Sequence, residues 1–300
     1  MLFVDGLGVA PEGDSNLLSS GRFGGLARLA GGVPLSGLSI GQTRHGEESS
    51  VKAIDATFGV PGLPQSATGQ TALFGGIEAP ILEGRHVNGY PTRSLRRALE
   101  ESNVLKQARE MGLRTTFLNA YRDLDHGAMP CGRRLSCTTV ATMAAGIPFR
   151  DLTDLRQGRA VYHDITCEML LARGYDVPAV SPERAAEVAC AVTLEHDLVL
   201  FEFFMTDIAG HSQDRVDCAR VLGTLDRFVE RLLDAARVGE MRVALASDHG
   251  NIEDMSTRSH TRAPVPFAVW GGSRRDREEA LASVDNTSQV ARSILGRVVG

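Results

Sequence analysis

Residues 242–253 read Arg242-Val243-Ala244-Leu245-Ala246-Ser247-Asp248-His249-Gly250-Asn251-Ile252-Glu253. A short unbroken apolar run that stops abruptly at ionisable residues has the form of a strand buried on both faces of a sheet. Adjacent ionisable side chains at the end of such a strand are costly unless something satisfies them. The same form recurs twice: Leu2-Phe3-Val4 runs into Asp5, and residues 198–206 run into Asp207. In an open α/β sheet the ligand site lies beyond the carboxyl ends of parallel strands. Three strands ending in this way would therefore bring Asp5, Asp207 and Asp248 with His249 into one crevice, although Asp5 lies more than 200 positions from the others.

Working outward, further buried parallel strands are expected at 115–121 and at Val265–Trp270. Helical periodicity is clearest in 212–237, where Val216, Ala219, Leu222, Leu225, Val229, Leu232, Leu233 and Ala236 recur at steps of three and four. Helices also read at 92–110, 182–194 and 286–298. This alternation predicts an α/β fold, a three-layer α/β/α sandwich around a mostly parallel sheet. The stretch 123–181, with short helical pieces such as 138–145, reads as a small cap or lid between core segments 1–122 and 182–300.

The bulk properties are those of a soluble globular chain: 43% hydrophobic, 23% charged, and without an apolar run of membrane-spanning length. A formal charge of -5 argues against a nucleic-acid surface. Five cysteines without a C-x-x-C pair suggest neither a disulfide framework nor a thiolate metal site. The opening residues lack a basic leader and a signal-peptide core. A cytoplasmic location is expected, with the natural start open to lying upstream of Met1.

Asp207 and His211 are four apart, which puts both on one side of a helical turn. His260 follows in Ser259-His260-Thr261. Carboxylate and imidazole ligands suit zinc or manganese, and the lack of thiolates argues against a structural zinc site. Ser66, in Pro64-Gln65-Ser66-Ala67-Thr68-Gly69-Gln70-Thr71, stands at or near the start of a helix. Backbone amides and the helix dipole there favour an anionic phosphate. A serine hydroxyl is a weak nucleophile until a metal or base activates it.

Asp5-Gly6-x-Gly8, Ser66-x-x-Gly69, Asp207-x-x-Gly210-His211, Asp248-His249-Gly250-Asn251-x-Glu253 and His260-Thr261-x-x-Pro264-Val265-Pro266 occur in the order seen in cofactor-independent phosphoglycerate mutases and phosphopentomutases. The chain resembles this metalloenzyme branch of the alkaline-phosphatase superfamily across its whole core. The resemblance implies one metal on Asp207, His211 and His260, and a second on Asp5, Asp248, His249 and the Ser66 oxygen. It implies two divalent ions, manganese favoured and zinc possible, and a small phosphorylated substrate. The implied reaction is attack by Ser66 on a phosphate ester through a phosphoserine. Gln70 stands where the mutases usually have histidine. The large inserted domain of the phosphoglycerate mutases, which grips substrate, has no room here, so their substrate residues do not transfer. A short cap favours hydrolysis, as a phosphatase or phosphodiesterase. A phosphomutase and a catalytically silent metal-binding protein are the rivals.

Blander readings stand beside these. Asp5-Gly6 suits a turn, and Ser66 suits an ordinary N-cap. His45, His86, His126, His163 and His196 lack ligand spacing. Arg85, Asn88, Arg133, Arg134, Arg150, Arg156 and Arg159 read first as solvated surface, with a phosphate clamp as the sharper option. Tyr162-His163-Asp164 reads as a structural network or a substrate contact.

Overall fold

The computed structural model describes residues 1–124, 129–131, 134–238 and 241–298; His126 and Arg133 lie outside them. Its strands are β1 (Leu2–Val4), β2 (Thr43–His45), β3 (Ser49–Ile54), β4 (Thr115–Phe117), β5 (Ala120–Tyr121), β6 (Arg150–Asp151), β7 (Leu198–Phe203), β8 (Val243–Ala246) and β9 (Val265–Trp270). Seven of them form one sheet in the order β2-β3-β9-β8-β1-β7-β4, while β5 and β6 pair separately.

Side chains alternate across this sheet, as the two-residue period of a strand requires. Leu2, Val4, Val199, Phe201, Phe203 and Leu245 enter one core with Leu26, Val188, Leu222, Phe228 and Leu233 from the helices Gly24–Leu29, Pro182–Thr193 and Arg215–Val238. Phe3, Leu200, Ala246 and Phe267 enter the other core with Leu73, Phe74, Leu105, Val140 and Leu295. Those come from helices Ser66–Gly75, Val104–Glu110, Cys137–Ala144 and Val290–Val298. Two cores on opposite faces of one sheet make the expected three-layer α/β/α sandwich.

Strand direction differs from the sequence expectation at one place that matters. β8, β1, β7 and β4 run parallel, but β9 pairs antiparallel with both β8 and β3. Val265–Trp270 is therefore not a parallel strand. Because β9 runs against β8, the loop between them stays at the carboxyl edge, and His260 reaches that edge by preceding its strand. Other boundaries shift locally. The run 198–206 is strand only as far as Phe203, so Asp207 and His211 lie on the helix Met205–Ser212. Helix 92–110 breaks between Glu101 and Val104, where Asn103 caps the second helix by accepting from Leu105 and Lys106. The hairpin of β2 and β3 and the helix Arg274–Ala282 have no counterpart in the sequence reading.

The helix Cys137–Ala144 packs against the helices Ser66–Gly75, Arg93–Glu101 and Val104–Glu110. Farther along, Leu155, Ala160, Tyr162, Cys167, Leu170 and Val177 form a small core of their own with Ala120. No described helix is long and apolar enough to cross a membrane.

Candidate metal centre and nucleophile

Seven side chains singled out from sequence converge at the carboxyl edge of β1, β7 and β8. Asp5 follows β1, Asp248 and His249 follow β8, and Asp207 and His211 sit in the first and last turns of one helix. Their ligand atoms fall into two groups, Asp5 with Asp248 and His249, and Asp207 with His211 and His260, each within 4.8 Å. The imidazoles of His249 and His260 stack at 3.8 Å, which joins the groups into one bipartite centre. Ser66, the first residue of its helix, places Oγ 3.1 Å from His249 Nε2, and the same nitrogen lies 3.2 Å from Asp5 Oδ1.

Glycines make this approach possible. A Cβ on Gly69 would lie 2.8 Å from the Asp248 carbonyl oxygen, and one on Gly210 would lie 2.6 Å from Asn251 Oδ1. Each is tighter than packing allows unless a neighbour shifts, the Asp248 backbone in the first case and the Asn251 side chain in the second.

The imidazoles are held from behind. His211 Nδ1 donates to the Arg258 carbonyl at 2.7 Å, and His260 Nδ1 to the Pro64 carbonyl at 2.8 Å. With the hydrogen on Nδ1, each Nε2 presents a lone pair, the arrangement typical of metal-ligating histidine. These two Nε2 atoms face each other at 3.1 Å, and both lie within 3.4 Å of Asp207 Oδ1. With both rings neutral, lone pairs and a carboxylate oxygen oppose one another, and a divalent cation among them relieves the repulsion. In the other group, the buried Asp5 Oδ1 and Asp248 Oδ2 have no hydrogen-bond partner. Both donor sets thus fit the cations that the fold family implies.

Charge tells the same story. Burial works against ionised His249, but Asp248, Asp5 and Asp207 outweigh it and raise its pKa to about 10. Burial and the neighbouring Asp5 carboxylate push Asp248 well above the usual range. Burial also opposes ionisation of Asp207, yet His260, His249 and Asn251 bring it down to about 2. Without a cation, the centre must take up protons to tolerate its own carboxylates.

Several supporting residues carried no role in the sequence reading. Gln70 Nε2 donates to Asp5 Oδ2 at 3.1 Å, so the glutamine that replaces the mutases' histidine orients a ligand. Asn251 Nδ2 donates to Asp207 Oδ1 at 2.7 Å. Glu253, fully buried, accepts from Gly8 N at 2.9 Å, from Asn251 N at 2.7 Å, and from Thr261 Oγ1. Their signal was present, since Asn251 and Glu253 belong to the Asp248 motif. Glu202, on β7 beside β1, accepts from Thr138 at 2.7 Å, and burial raises it to about 7. Nothing in its apolar strand context marked it.

The amides at the start of the Ser66 helix are partly committed. The Val87 carbonyl accepts from Ala67 N at 3.1 Å and Thr68 N at 3.3 Å, and Val87 N donates to Thr68 Oγ1 at 3.2 Å. The dipole remains, but those two N–H groups already have a partner.

The other candidates fall outside the centre or serve the fold. His45 bonds Ser50, and His196 bonds the Val192 carbonyl. Arg150 reaches the Arg159 carbonyl, Arg156 the Asp176 carbonyl, and Arg159 the Asp154 carboxylate. Asp164 accepts from Cys167 N and Met169 N and so fixes a turn. Arg85 and Asn88 are exposed on either side of His86 and Val87, and Arg134 is exposed.

A family model described as the metalloenzyme superfamily matches residues 171–298. A 2,3-bisphosphoglycerate-independent phosphoglycerate mutase of Methanopyrus kandleri is 35% identical over 120 residues, 39% of this chain and 27% of that protein. The match thus spans about a quarter of the relative's length. The structure of a Pyrococcus horikoshii protein resembles the whole chain with a TM-score of 0.57 at 15% identity, covering 99% of this chain and 95% of that one. The alkaline phosphatase of the Antarctic bacterium TAB5 does so with a TM-score of 0.55 at 13% identity, covering 99% and 97%.

The α/β/α sandwich thus carries, at the carboxyl edge of its sheet, a serine beside two groups of candidate metal ligands. Residues 171–298 match the metalloenzyme superfamily, and the fold of the whole chain is similar to that of an alkaline phosphatase.

Proposed function

We propose that the protein is a metal-dependent phosphoryl-transfer enzyme that hydrolyses a small phosphate monoester or diester by way of phosphorylated Ser66. The observation that carries this reading is the position of Ser66 Oγ, 3.1 Å from His249 Nε2, where His249 is stacked on His260 of the second ligand group. Asp5, Asp248, His249 and the Ser66 oxygen would hold one divalent cation, and Asp207, His211 and His260 the other, manganese favoured over zinc. Bound there, the pair supplies Lewis acidity for the serine alcohol and for the charged phosphoryl oxygens.

Ser66 Oγ then attacks phosphorus as the bond to the substrate's alcohol oxygen breaks, and the alcohol departs after gaining a proton. Water attacks the phosphoserine, the phosphorus–Oγ bond breaks, and Ser66 regains its proton as phosphate, or from a diester the remaining monoester, leaves. Gln70 and Asn251 keep Asp5 and Asp207 aimed at the centre throughout. In the same reading, 1–122 and 182–300 are the catalytic core and 123–181 is a cap, anchored through Cys137–Ala144, that meets the alcohol part of the substrate. A cytoplasmic setting suits this role. Retention of the alcohol for phosphate return would make the protein a phosphomutase; the sequence match to the Methanopyrus kandleri mutase favours that second reading.

The test is release of phosphate from a panel of monoesters, and of alcohol and monoester from diesters, with manganese or zinc, alongside Ser66→Ala and a chelator. Release that disappears with either change, together with phosphate on Ser66 by mass spectrometry, supports hydrolysis. An isomerised ester without free phosphate would support the mutase. Metal binding with neither product nor phosphoserine would reject both.

A further inference from the structure

Phe204 and His163 form an assembly that the metal centre does not use. β4 is continued at its carboxyl end by Asn119, which donates to Glu202 O at 2.7 Å and accepts from Glu202 N at 2.9 Å. Val161 bonds on the other side, accepting from Ala120 N at 2.9 Å and donating to Leu118 O at 3.1 Å. Residues 161–163 are thereby carried to the carboxyl edge beside β7. There His163 stacks on Phe204 at 4.2 Å with 24° between the rings, and Tyr162 lies tilted by 41° against it at 4.1 Å.

Phe204 is the N-cap residue of the helix that bears Asp207 and His211, three positions before the first of these ligands. Every residue of β7 before it is buried, whereas Phe204 is only partly so. Phe204 thus stands, partly exposed, at the carboxyl edge just before the helix of Asp207 and His211, with one face of its ring against an imidazole. His163 Nδ1 has no hydrogen-bond partner, and burial together with the nearby Arg122 charge lowers this imidazole to about 4, so it is neutral. The nearby cation is already matched: Arg122 Nε meets Asp123 Oδ2 at 2.8 Å and also bonds the Tyr162 side chain. The wall is flat, apolar and without free charge.

We propose that Phe204, backed by His163, is the subsite for the alcohol part of the ester, and that it selects an uncharged alcohol carrying a ring over one carrying a carboxylate. This rests on the Ser66 reading, since the subsite adjoins that centre. A flat unsaturated group gains a stacking partner there, whereas an anionic group such as a glycerate carboxylate finds no unpaired cation among these residues and loses its hydration.

The experiment is calorimetric binding of phenylphosphonate, methylphosphonate and phosphonoacetate to manganese-loaded protein, which needs no turnover. Phenylphosphonate should bind roughly tenfold more tightly than methylphosphonate, the scale of one aromatic contact with its buried area. Phosphonoacetate should show no such gain. Phe204→Leu keeps apolar volume without the flat face and should bring the ratio below about threefold with methylphosphonate affinity unchanged. His163→Phe keeps the stack and should retain the preference. Equal affinities in the wild type, equal weakening of both ligands by Phe204→Leu, or no binding of either would overturn the subsite. An intact preference with no hydrolysis of phenyl phosphate would overturn the hydrolase reading and leave the subsite standing.

Discussion

Glu253 ties three of the five motifs together, and its removal gives a calculable loss. Its carboxylate is fully buried and accepts from the Gly8 amide, the Asn251 amide and the Thr261 hydroxyl. Burial raises its pKa, and these hydrogen bonds offset part of that rise. Glu253→Ala strands two backbone donors that cannot reorient. At about 1–3 kcal/mol for each unsatisfied buried group, the loss is about 2–6 kcal/mol, before any term for the cavity. Glu253→Gln keeps an oxygen for both amides and turns its NH2 toward Thr261, whose hydroxyl can rotate to accept. That exchange loses charge assistance alone, about 1 kcal/mol. At roughly 2–4 °C per kcal/mol for a chain of this size, the alanine variant should melt at least about 5 °C lower and the glutamine variant about 2–4 °C lower. Calorimetry in chelator isolates this from cation binding. The alanine variant should also bind manganese more weakly, because Gly8 lies three residues after Asp5 in the same loop and Asn251 donates to Asp207. A wild-type melting temperature for Glu253→Ala, or equal damage from both variants, would refute the argument.

The remaining predictions rest on separate contacts. Gly69→Ala places a methyl group 2.8 Å from the Asp248 carbonyl oxygen, which should cost about 1–3 kcal/mol in a melting experiment and reduce phosphate release by a larger factor, because Ser66 moves with its helix. Glu202 has its carboxyl raised from 4.5 to about 7 by burial, so the folded state holds a proton that the unfolded chain has released. The corresponding stability, on the order of 3 kcal/mol, is full below pH 4.5 and is lost as pH rises through about 7. Metal-free Glu202→Gln should lack that slope in denaturant titrations across this window. His249 is raised to about 10 and Asp248 is also raised, so cation binding must displace protons from the pair. Calorimetry in buffers of different ionisation heat should show proton release, and apparent affinity should rise from pH 6 to 8; a pH-independent affinity would contradict the assigned ligands.

The candidate carboxylate ligands were legible in the sequence because they mark abrupt ends. Asp5 and Asp248 follow runs of buried residues directly and Asp207 follows one within four positions, and such an end has few explanations at a sheet's carboxyl edge. His260 was legible only as part of a motif, since a parallel Val265–Trp270 strand would begin at the opposite edge. Its antiparallel course, set by pairing with β8 and β3, is a tertiary choice that an apolar run of six residues does not encode. β3 escaped notice for a related reason: Ser49, Ser50 and Lys52 are buried in it, so no continuous apolar run shows. Lys52 is tolerated because its ammonium reaches Asp285 at 2.7 Å, a partner far away in sequence. Val87 could not have been found at all, because its part is played by main-chain atoms.

That last contact changes the division of labour at the nucleophile. A helix start ordinarily offers its free amides to a phosphate, but here the Val87 carbonyl occupies those of Ala67 and Thr68. Asp5, Asp207 and Asp248 meanwhile gather carboxylates around the same point. The protein therefore presents a phosphate with acceptors and few free donors, and the helix dipole alone is too weak to overcome carboxylates a few ångströms away. In the proposed reading, attraction for the substrate would come from the cations that those carboxylates would hold, so the ligand groups would serve substrate binding as well as chemistry, and the bonds from Val87 would fix the angle at which Ser66 faces them.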